Sequence, residues 1–179
     1  MSPDHESTVR YYKGIQERVS EDLNELRQWY GFSEINLIGI SLGCVNALMV
    51  ANHNPLVDKI NLVVPGHCLA ESMWNGVRTQ KMRQAFEDNG VTLEQLKEYW
   101  HDLAPENNID GLEGKGITVR ISLADKVIPH YCGKSLIESM EKLGLNPVVR
   151  ENSYLGHYCT VVSFYFSPTD ITLSHPSSQ

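Results

Sequence analysis

The sequence predicts an α/β fold in which about four parallel strands are flanked by helices. Short apolar runs alternate along the chain with segments whose apolar residues recur every three or four positions. Such alternation favours right-handed crossovers, and therefore a parallel sheet with helices on both faces. A chain of 179 residues, 41 % hydrophobic and without internal repeats, is expected to form a single domain over residues 1–179.

The predicted strands are short and mostly apolar, and they cover residues 35–40, 59–64, 117–123 and 147–151. The predicted helices show apolar steps of three and four, and they cover residues 8–30, 42–53, 70–88, 92–103 and 131–143. Thr92 and Gln95 fit a capping box at the start of the fourth helix. Residues 107–115 are expected to form a polar loop, and residues 168–179 a flexible tail.

Charge and cysteine usage limit the classes of partner. The net charge of −7, without a Lys/Arg cluster, argues against a nucleic-acid partner. The sequence shows no signal peptide and no apolar run long enough to span a membrane, so we expect a cytoplasmic protein. The cysteines lie far apart without a C-x-x-C pair, which predicts free thiols and no metal site, although a disulfide stays open; they are Cys44, Cys68, Cys132 and Cys159.

The motif with chemical content is Gly39-Ile40-Ser41-Leu42-Gly43, a G-x-S-x-G between a predicted strand and a predicted helix. A serine on such a sharp turn exposes its hydroxyl, and glycines allow the strand and the helix to approach each other. The N–H of Leu42, at the start of the helix, is then available to an oxyanion. The alternative is the Gly-rich turn of a nucleotide-binding fold, but the sequence lacks G-x-x-x-x-G-K-[ST] and G-x-G-x-x-G.

A serine nucleophile needs a base, and the base needs an orienting carboxylate. Asp125 follows the third predicted strand, and His157 follows the fourth. Parallel strands place their carboxyl ends at one edge of the sheet, so Ser41, Asp125 and His157 are expected to converge there. The alternatives are that Asp125 caps a turn and that His157 merely starts a helix. Neither alternative assigns a catalytic role.

Other candidates receive structural interpretations. His67 precedes the acid in sequence and is expected at the base of a lid, and His130 lies on the approach to a helix rather than after the last strand. Cys44 is expected to pack inside its helix. Two aromatic residues of the segment between the second and third strands are expected in the core of that segment rather than on a substrate platform; they are Trp74 and Trp100.

Three motifs in this order resemble the α/β-hydrolase superfamily from about residue 8 to residue 160. Asp125-Lys126-Val127-Ile128-Pro129 is similar to the acid loop of the family, and Gly156-His157 is similar to its histidine loop. The resemblance implies a partial α/β-hydrolase fold with residues 66–116 as a helical lid. It also implies Ser41 as nucleophile, Asp125 as acid, His157 as base and no cofactor.

The sequence departs from the family before Ser41. The family has about four strands and an oxyanion loop there, whereas only residues 1–34 precede the first predicted strand and no His-Gly-Gly occurs. The edge of strand 35–40 is therefore expected to be open, and open edges recruit partners. Three explanations compete: a truncated product, a half-fold completed by a second copy or another chain, and a minimal sheet covered by the N-terminal helix.

The sequence thus predicts a serine hydrolase that cleaves a small-molecule carboxylic ester or thioester through an acyl-enzyme. The rival hypothesis is a non-catalytic module that acts through protein interaction. Acyl transfer to an alcohol would use the same residues, but Ile40 stands where the G-H-S-x-G form of carrier-protein acyltransferases has histidine.

Overall fold

The computed structural model describes residues 4–166, and its centre is one sheet of four parallel strands. The strands are β1 (Asn36–Ile40), β2 (Lys59–Val63), β3 (Gly116–Ser122) and β4 (Val148–Asn152). They lie side by side in chain order, with Leu37 opposite Ile60 and Val63 opposite Arg120. The predicted parallel sheet and its strand order are confirmed. The predicted tail, residues 168–179, lies outside the described part.

Seven α-helices occur in the described residues. They are α1 (His5–Tyr30), α2 (Gly43–His53), α3 (Leu69–Asn75), α4 (Gln80–Asp88), α5 (Leu93–Tyr99), α6 (His130–Lys142) and α7 (His157–Tyr165). Gly31 ends α1 in the left-handed conformation at φ 63°, as the sequence predicts. No helix among them combines the length and the apolar character needed to cross a bilayer.

The main core lies on one face of the sheet. Alternate residues of β2 and β3, among them Leu62 and Val119, pack against buried side chains of α2 and α6. The segment predicted as a polar loop contributes Ile109 and Leu112 to this core through a short 3₁₀ turn, so that prediction is wrong. The segment is too short to show a helical period, so the sequence could not indicate which of its side chains are buried.

The insertion between β2 and β3 forms a second core beside α1 and α2. Phe86 and Trp100 are fully buried there and pack edge to face, with ring centroids 5.8 Å apart. The capping box of Thr92 and Gln95 is present at the start of α5. Trp100 therefore belongs to the core of the insertion, as the sequence predicts.

The predicted helix 70–88 is interrupted, and this prediction is corrected. Gly76 is extended at ψ 132° and separates α3 from α4, with a 3₁₀ turn at Val77–Thr79. Thr79 donates its hydroxyl to the Gly76 carbonyl at 2.9 Å, and a Cβ on Gly76 would lie 2.6 Å from Thr79 Oγ1. The spacing of apolar residues cannot predict that a side-chain hydroxyl binds a backbone carbonyl and so competes with the helical hydrogen bonds.

The sequence did not predict α7, which packs at the carboxyl ends of the strands. Phe164 of α7 is buried against Val63 and Val64, on the opposite side of the sheet from the main core. Phe164 also receives the Arg120 guanidinium, 5.8 Å from its ring centroid. The first residue of this helix is His157, so its placement bears directly on the site.

Candidate active site

Ser41 lies at the turn from β1 into α2. Its φ of 53° is in the left-handed region, which non-glycine residues rarely adopt, and it costs of order 1–3 kcal/mol unless the surroundings hold it. The Ser41 N–H donates to the Val63 carbonyl at 2.9 Å, and the Cys44 N–H donates to the Ser41 carbonyl at 2.9 Å. These bonds to strand and helix fix the strained turn.

The two motif glycines have different roles. A Cβ on Gly39 would lie 2.8 Å from both Ala47 Cβ and Cys44 Cα, so only glycine fits where β1 passes α2. Nothing lies within 4 Å of a Cβ on Gly43. The expectation that close approach requires both glycines is therefore wrong for Gly43, because the chain has turned away from the strand by that residue.

Asp125 and His157 form a buried pair at the same edge of the sheet. His157 Nδ1 lies 2.7 Å from Asp125 Oδ2, and the two side chains are 6 % and 3 % exposed. The other carboxylate oxygen accepts the backbone N–H groups of Val127 at 2.8 Å and Ile128 at 3.0 Å. Asp125 thus caps its own turn and also contacts the imidazole, and His157 both starts α7 and pairs with this carboxylate.

One cavity of about 210 Å³ joins the serine turn to the acid loop. Ser41 and Leu42 line it together with Val127 and Ile128, the residues whose N–H groups hold Asp125. The insertion supplies the remaining walls, which include Leu69, Ser72, Met73 and Arg78. The walls are largely apolar, so the cavity favours an apolar group beside the serine.

Three polar groups at this site make no hydrogen bond within the described residues. Within residues 4–166, the Ser41 hydroxyl makes no hydrogen bond, and neither does His157 Nε2. The Leu42 N–H, one residue before α2 begins, is likewise free of a backbone acceptor among the described residues. A hydroxyl, an imidazole nitrogen and an N–H are therefore available to an incoming ligand.

The sequence did not single out Arg78 and Tyr158, which connect the insertion to the histidine loop. Arg78 Nη1 donates to the Tyr158 hydroxyl, and its guanidinium lies 5.1 Å from the Tyr158 ring centroid. Tyr158 in turn packs edge to face on His157, with centroids 5.4 Å apart. The contact joins positions 80 residues apart, so no local pattern could have predicted it.

The remaining sequence candidates lie elsewhere. His67 is buried at the base of the insertion and contacts Cys68, as its interpretation as a lid-base residue requires. His130 is exposed at the start of α6. Cys44 is fully buried in α2, and all four cysteines are free. Trp74 is half-buried beneath Arg83, 5.6 Å from its ring centroid.

Comparison with solved structures assigns the fold. A puromycin hydrolase superposes with a TM-score of 0.64 at 15 % identity, over 82 % of this chain and 23 % of its own. The acylaminoacyl peptidase of Pyrococcus horikoshii gives 0.65 at 13 % identity, over 78 % and 23 %. An esterase of Pyrococcus furiosus gives 0.62 at 14 % identity, over 86 % and 56 %. No protein-family model and no curated protein matches the sequence.

The chain therefore has a partial α/β-hydrolase fold, shared with serine peptidases and esterases. It spans about a quarter of the length of the two larger enzymes and 56 % of the esterase. At these identities the likeness concerns the fold, and the chemistry must be argued from the residues of this chain.

Proposed function

We propose that this chain is a serine hydrolase that cleaves a small carboxylic ester or thioester, with Ser41 as nucleophile, His157 as base and Asp125 as orienting acid. The observation that carries the proposal is the buried 2.7 Å contact between His157 Nδ1 and Asp125 Oδ2, beside the cavity that Ser41 lines. Burial strengthens this charge-assisted bond and holds the imidazole with Nε2 as the proton acceptor.

The proposed reaction assigns one step to each of these residues. Ser41 Oγ attacks the carbonyl carbon while His157 Nε2 takes the hydroxyl proton. The tetrahedral intermediate collapses when the imidazolium of His157 returns this proton to the leaving alcohol or thiol. Water, deprotonated by the same imidazole, then cleaves the acyl-enzyme and releases the carboxylic acid. The Leu42 N–H donates to the developing oxyanion in both halves of the reaction.

The cavity supports a small acyl group. Its volume of about 210 Å³ lies below the roughly 300–1,000 Å³ of sites for drug-sized ligands. Leu69 and Met73 would contact the acyl chain, and Arg78 stands among the lining residues. We therefore propose an acetyl or butyryl ester as the first substrate to test. An acylated amino-acid anilide is the second, because the structural neighbours include an acylaminoacyl peptidase.

The test combines covalent labelling with turnover. A fluorophosphonate should label the chain once, and Ser41→Ala should abolish labelling and ester hydrolysis. Asp125→Asn should retain labelling at a much slower rate and lower kcat by about 10³–10⁴-fold, because the imidazole then takes the wrong tautomer. Loss of one oxyanion donor costs roughly 10²–10³ in turnover, so the wild-type rate is expected to be low if Leu42 acts alone.

Matched controls separate catalysis from folding. Ser153→Ala changes an exposed serine between β4 and α7, and His130→Gln changes an exposed histidine at the start of α6; both should retain wild-type rates. If Ser41→Ala hydrolyses the ester as fast as wild type, the catalytic proposal fails.

The second candidate is a non-catalytic module that acts through protein interaction. One observation favours it: among the described residues before Ser41, α1, a short connection and β1 leave no loop comparable to the oxyanion loop of the family. Under this hypothesis the Asp125–His157 pair is structural. Absence of fluorophosphonate labelling in a folded wild-type chain would select it.

A further inference from the structure

A second group of chemically reactive side chains lies at the base of the insertion. His67 and Cys68 lie four and five residues after the end of β2 and directly precede α3, and Glu106 lies in the 3₁₀ turn Pro105–Asn107. One ligand atom from each of these three residues lies within 4.8 Å of the others. The hydrolase proposal uses none of them.

The imidazole stands between the thiol and the carboxylate. His67 Nδ1 lies 2.7 Å from Cys68 Sγ, and His67 Nε2 lies 3.8 Å from Glu106 Oε2. The same carboxylate oxygen accepts the Cys68 N–H at 3.1 Å, which links positions 38 residues apart. The His67 side chain is 9 % exposed, so the group is shielded from water on the histidine side.

We propose that His67, Cys68 and Glu106 bind a Zn²⁺ ion. Thiolate, imidazole and carboxylate are the three ligand types that zinc takes in proteins. Bonds of about 2.3 Å to sulfur and about 2.0–2.2 Å to nitrogen and oxygen place tetrahedral donors about 3.3–3.8 Å apart. The ligand atoms now lie within 4.8 Å of one another, so zinc binding requires them to move closer together.

Glu71 supplies a further carboxylate beside this group, outside the three residues whose ligand atoms lie within 4.8 Å of one another. This residue lies in the first turn of α3, and its carboxylate is close to the Cys68 thiol. Lys97 of α5 holds the carboxylate from the other side, with Nζ 2.7 Å from Oε1. The divalent ion would balance the Cys68 thiolate and the Glu106 carboxylate, while Lys97 balances Glu71.

The metal would connect the end of β2 to the far part of the insertion. Ser72, which lines the cavity beside Ser41, donates its hydroxyl to the His67 carbonyl at 3.2 Å. An ion that fixes His67 therefore also fixes one wall of the cavity. When zinc binds, the Cys68 thiol loses its proton to solvent and forms the metal–sulfur bond, so affinity increases with pH. No redox partner is required.

The experiment titrates the metal-depleted full chain with Co²⁺ and then with Zn²⁺. Wild type should bind one ion per chain and show the near-ultraviolet absorption of a cobalt–thiolate bond, which Zn²⁺ displaces. At zinc about 100-fold above Kd, the Tm should rise by roughly 5–10 °C. Cys68→Ser, His67→Gln and Glu106→Gln should each weaken zinc binding by more than about 10–100-fold. Loss of a residue that only supports a ligand already costs that much, and these variants remove a ligand itself.

Each variant has a control of the same chemistry. Cys159→Ser and Glu113→Gln change exposed residues, and His101→Gln changes a histidine whose side chain is 68 % exposed. These three should bind zinc as wild type does. Equal affinity of wild type and Cys68→Ser would overturn the proposal. If a site variant fails to fold, the wild-type spectrum decides, because a folded chain without a cobalt–thiolate band also overturns it.

Discussion

Cys44 and Tyr12 are ionisable side chains held in apolar surroundings. Cys44 is fully buried in α2, and burial raises the pKa of its thiol well above the ordinary value of 9.0. Burial also raises the pKa of Tyr12 from 10.0 to about 12, with a smaller effect from the neighbouring Tyr11. Both groups keep their protons in the folded chain at pH values where the unfolded chain loses them.

The free energy of unfolding should therefore fall as pH rises above about 9. Below pH 9 both states hold these protons, so their contribution is fully present; above it only the unfolded state ionises. Each such proton contributes a slope of about 1.4 kcal/mol per pH unit. Urea unfolding at about pH 8 to 11 measures the slope.

Two variants assign the slope to its residues. Cys44→Ala should reduce the decline that begins near pH 9, to which Cys68 and Cys132 also contribute because burial raises the pKa of their thiols. Tyr12→Phe should reduce the part that begins near pH 10, while the exposed Cys159→Ala should leave the decline unchanged. A wild-type free energy that stays constant up to about pH 11 contradicts the expectation.

The β1–α2 turn is the element on which the candidate active site depends. The strand and the helix approach closely at Gly39, and they hold Ser41 in a left-handed conformation by backbone bonds from both sides. The helix start places the Leu42 N–H next to the serine. The geometry of the turn is thus a consequence of packing between two elements.

Gly39→Ala should lower the free energy of unfolding by about 1–3 kcal/mol, because the new Cβ overlaps Ala47 and the Cys44 backbone. The displaced turn should also slow labelling of Ser41 by a fluorophosphonate. Chemical unfolding and labelling rates provide the measurements.

Gly43→Ala is the matched control for the packing effect. Its Cβ meets nothing within 4 Å, and alanine favours the first turn of α2, so stability should be equal to or above wild type. If Gly39→Ala and Gly43→Ala lower the free energy of unfolding equally, the close approach at Gly39 is not what makes glycine necessary there.

On the scale of the whole molecule, the two edges of the sheet differ. β4 carries charges at Arg150 and Glu151, and charged side chains discourage pairing of edges. β1 has no charge, its Ile38 is 45 % exposed, and its outer side has no strand partner among residues 4–166. α1 packs on α2. The sheet is therefore open at β1.

We expect the isolated chain to self-associate through β1. Ile38→Lys should weaken the association constant by about 10–100-fold, because an apolar side chain whose burial contributes about 1.5–3 kcal/mol is replaced by a charge. Sedimentation velocity across a dilution series measures this. Val148→Lys, at a 50 % exposed position of the opposite edge, is the control and should leave association unchanged. A chain that is monomeric at every concentration contradicts the expectation.

The fold could be predicted because its signals are local. Apolar runs and apolar steps of three and four located every strand, and the crossover rule gave the sheet order without further information. The same rule brought Asp125 near His157, since both follow parallel strands. The need for glycine at position 39 could also be predicted, because a glycine between a strand and a helix indicates close approach of their backbones.

Other features depend on contacts between distant residues, and only the tertiary structure decided them. Spacing alone argued against a metal site, yet folding places Glu106 beside His67 and Cys68. The Arg78–Tyr158 contact is likewise invisible to periodicity. Sequence patterns report which face of an element is apolar, because burial repeats with the backbone period. They do not report which polar side chains meet when those faces pack, since that depends on the relative positions of whole elements.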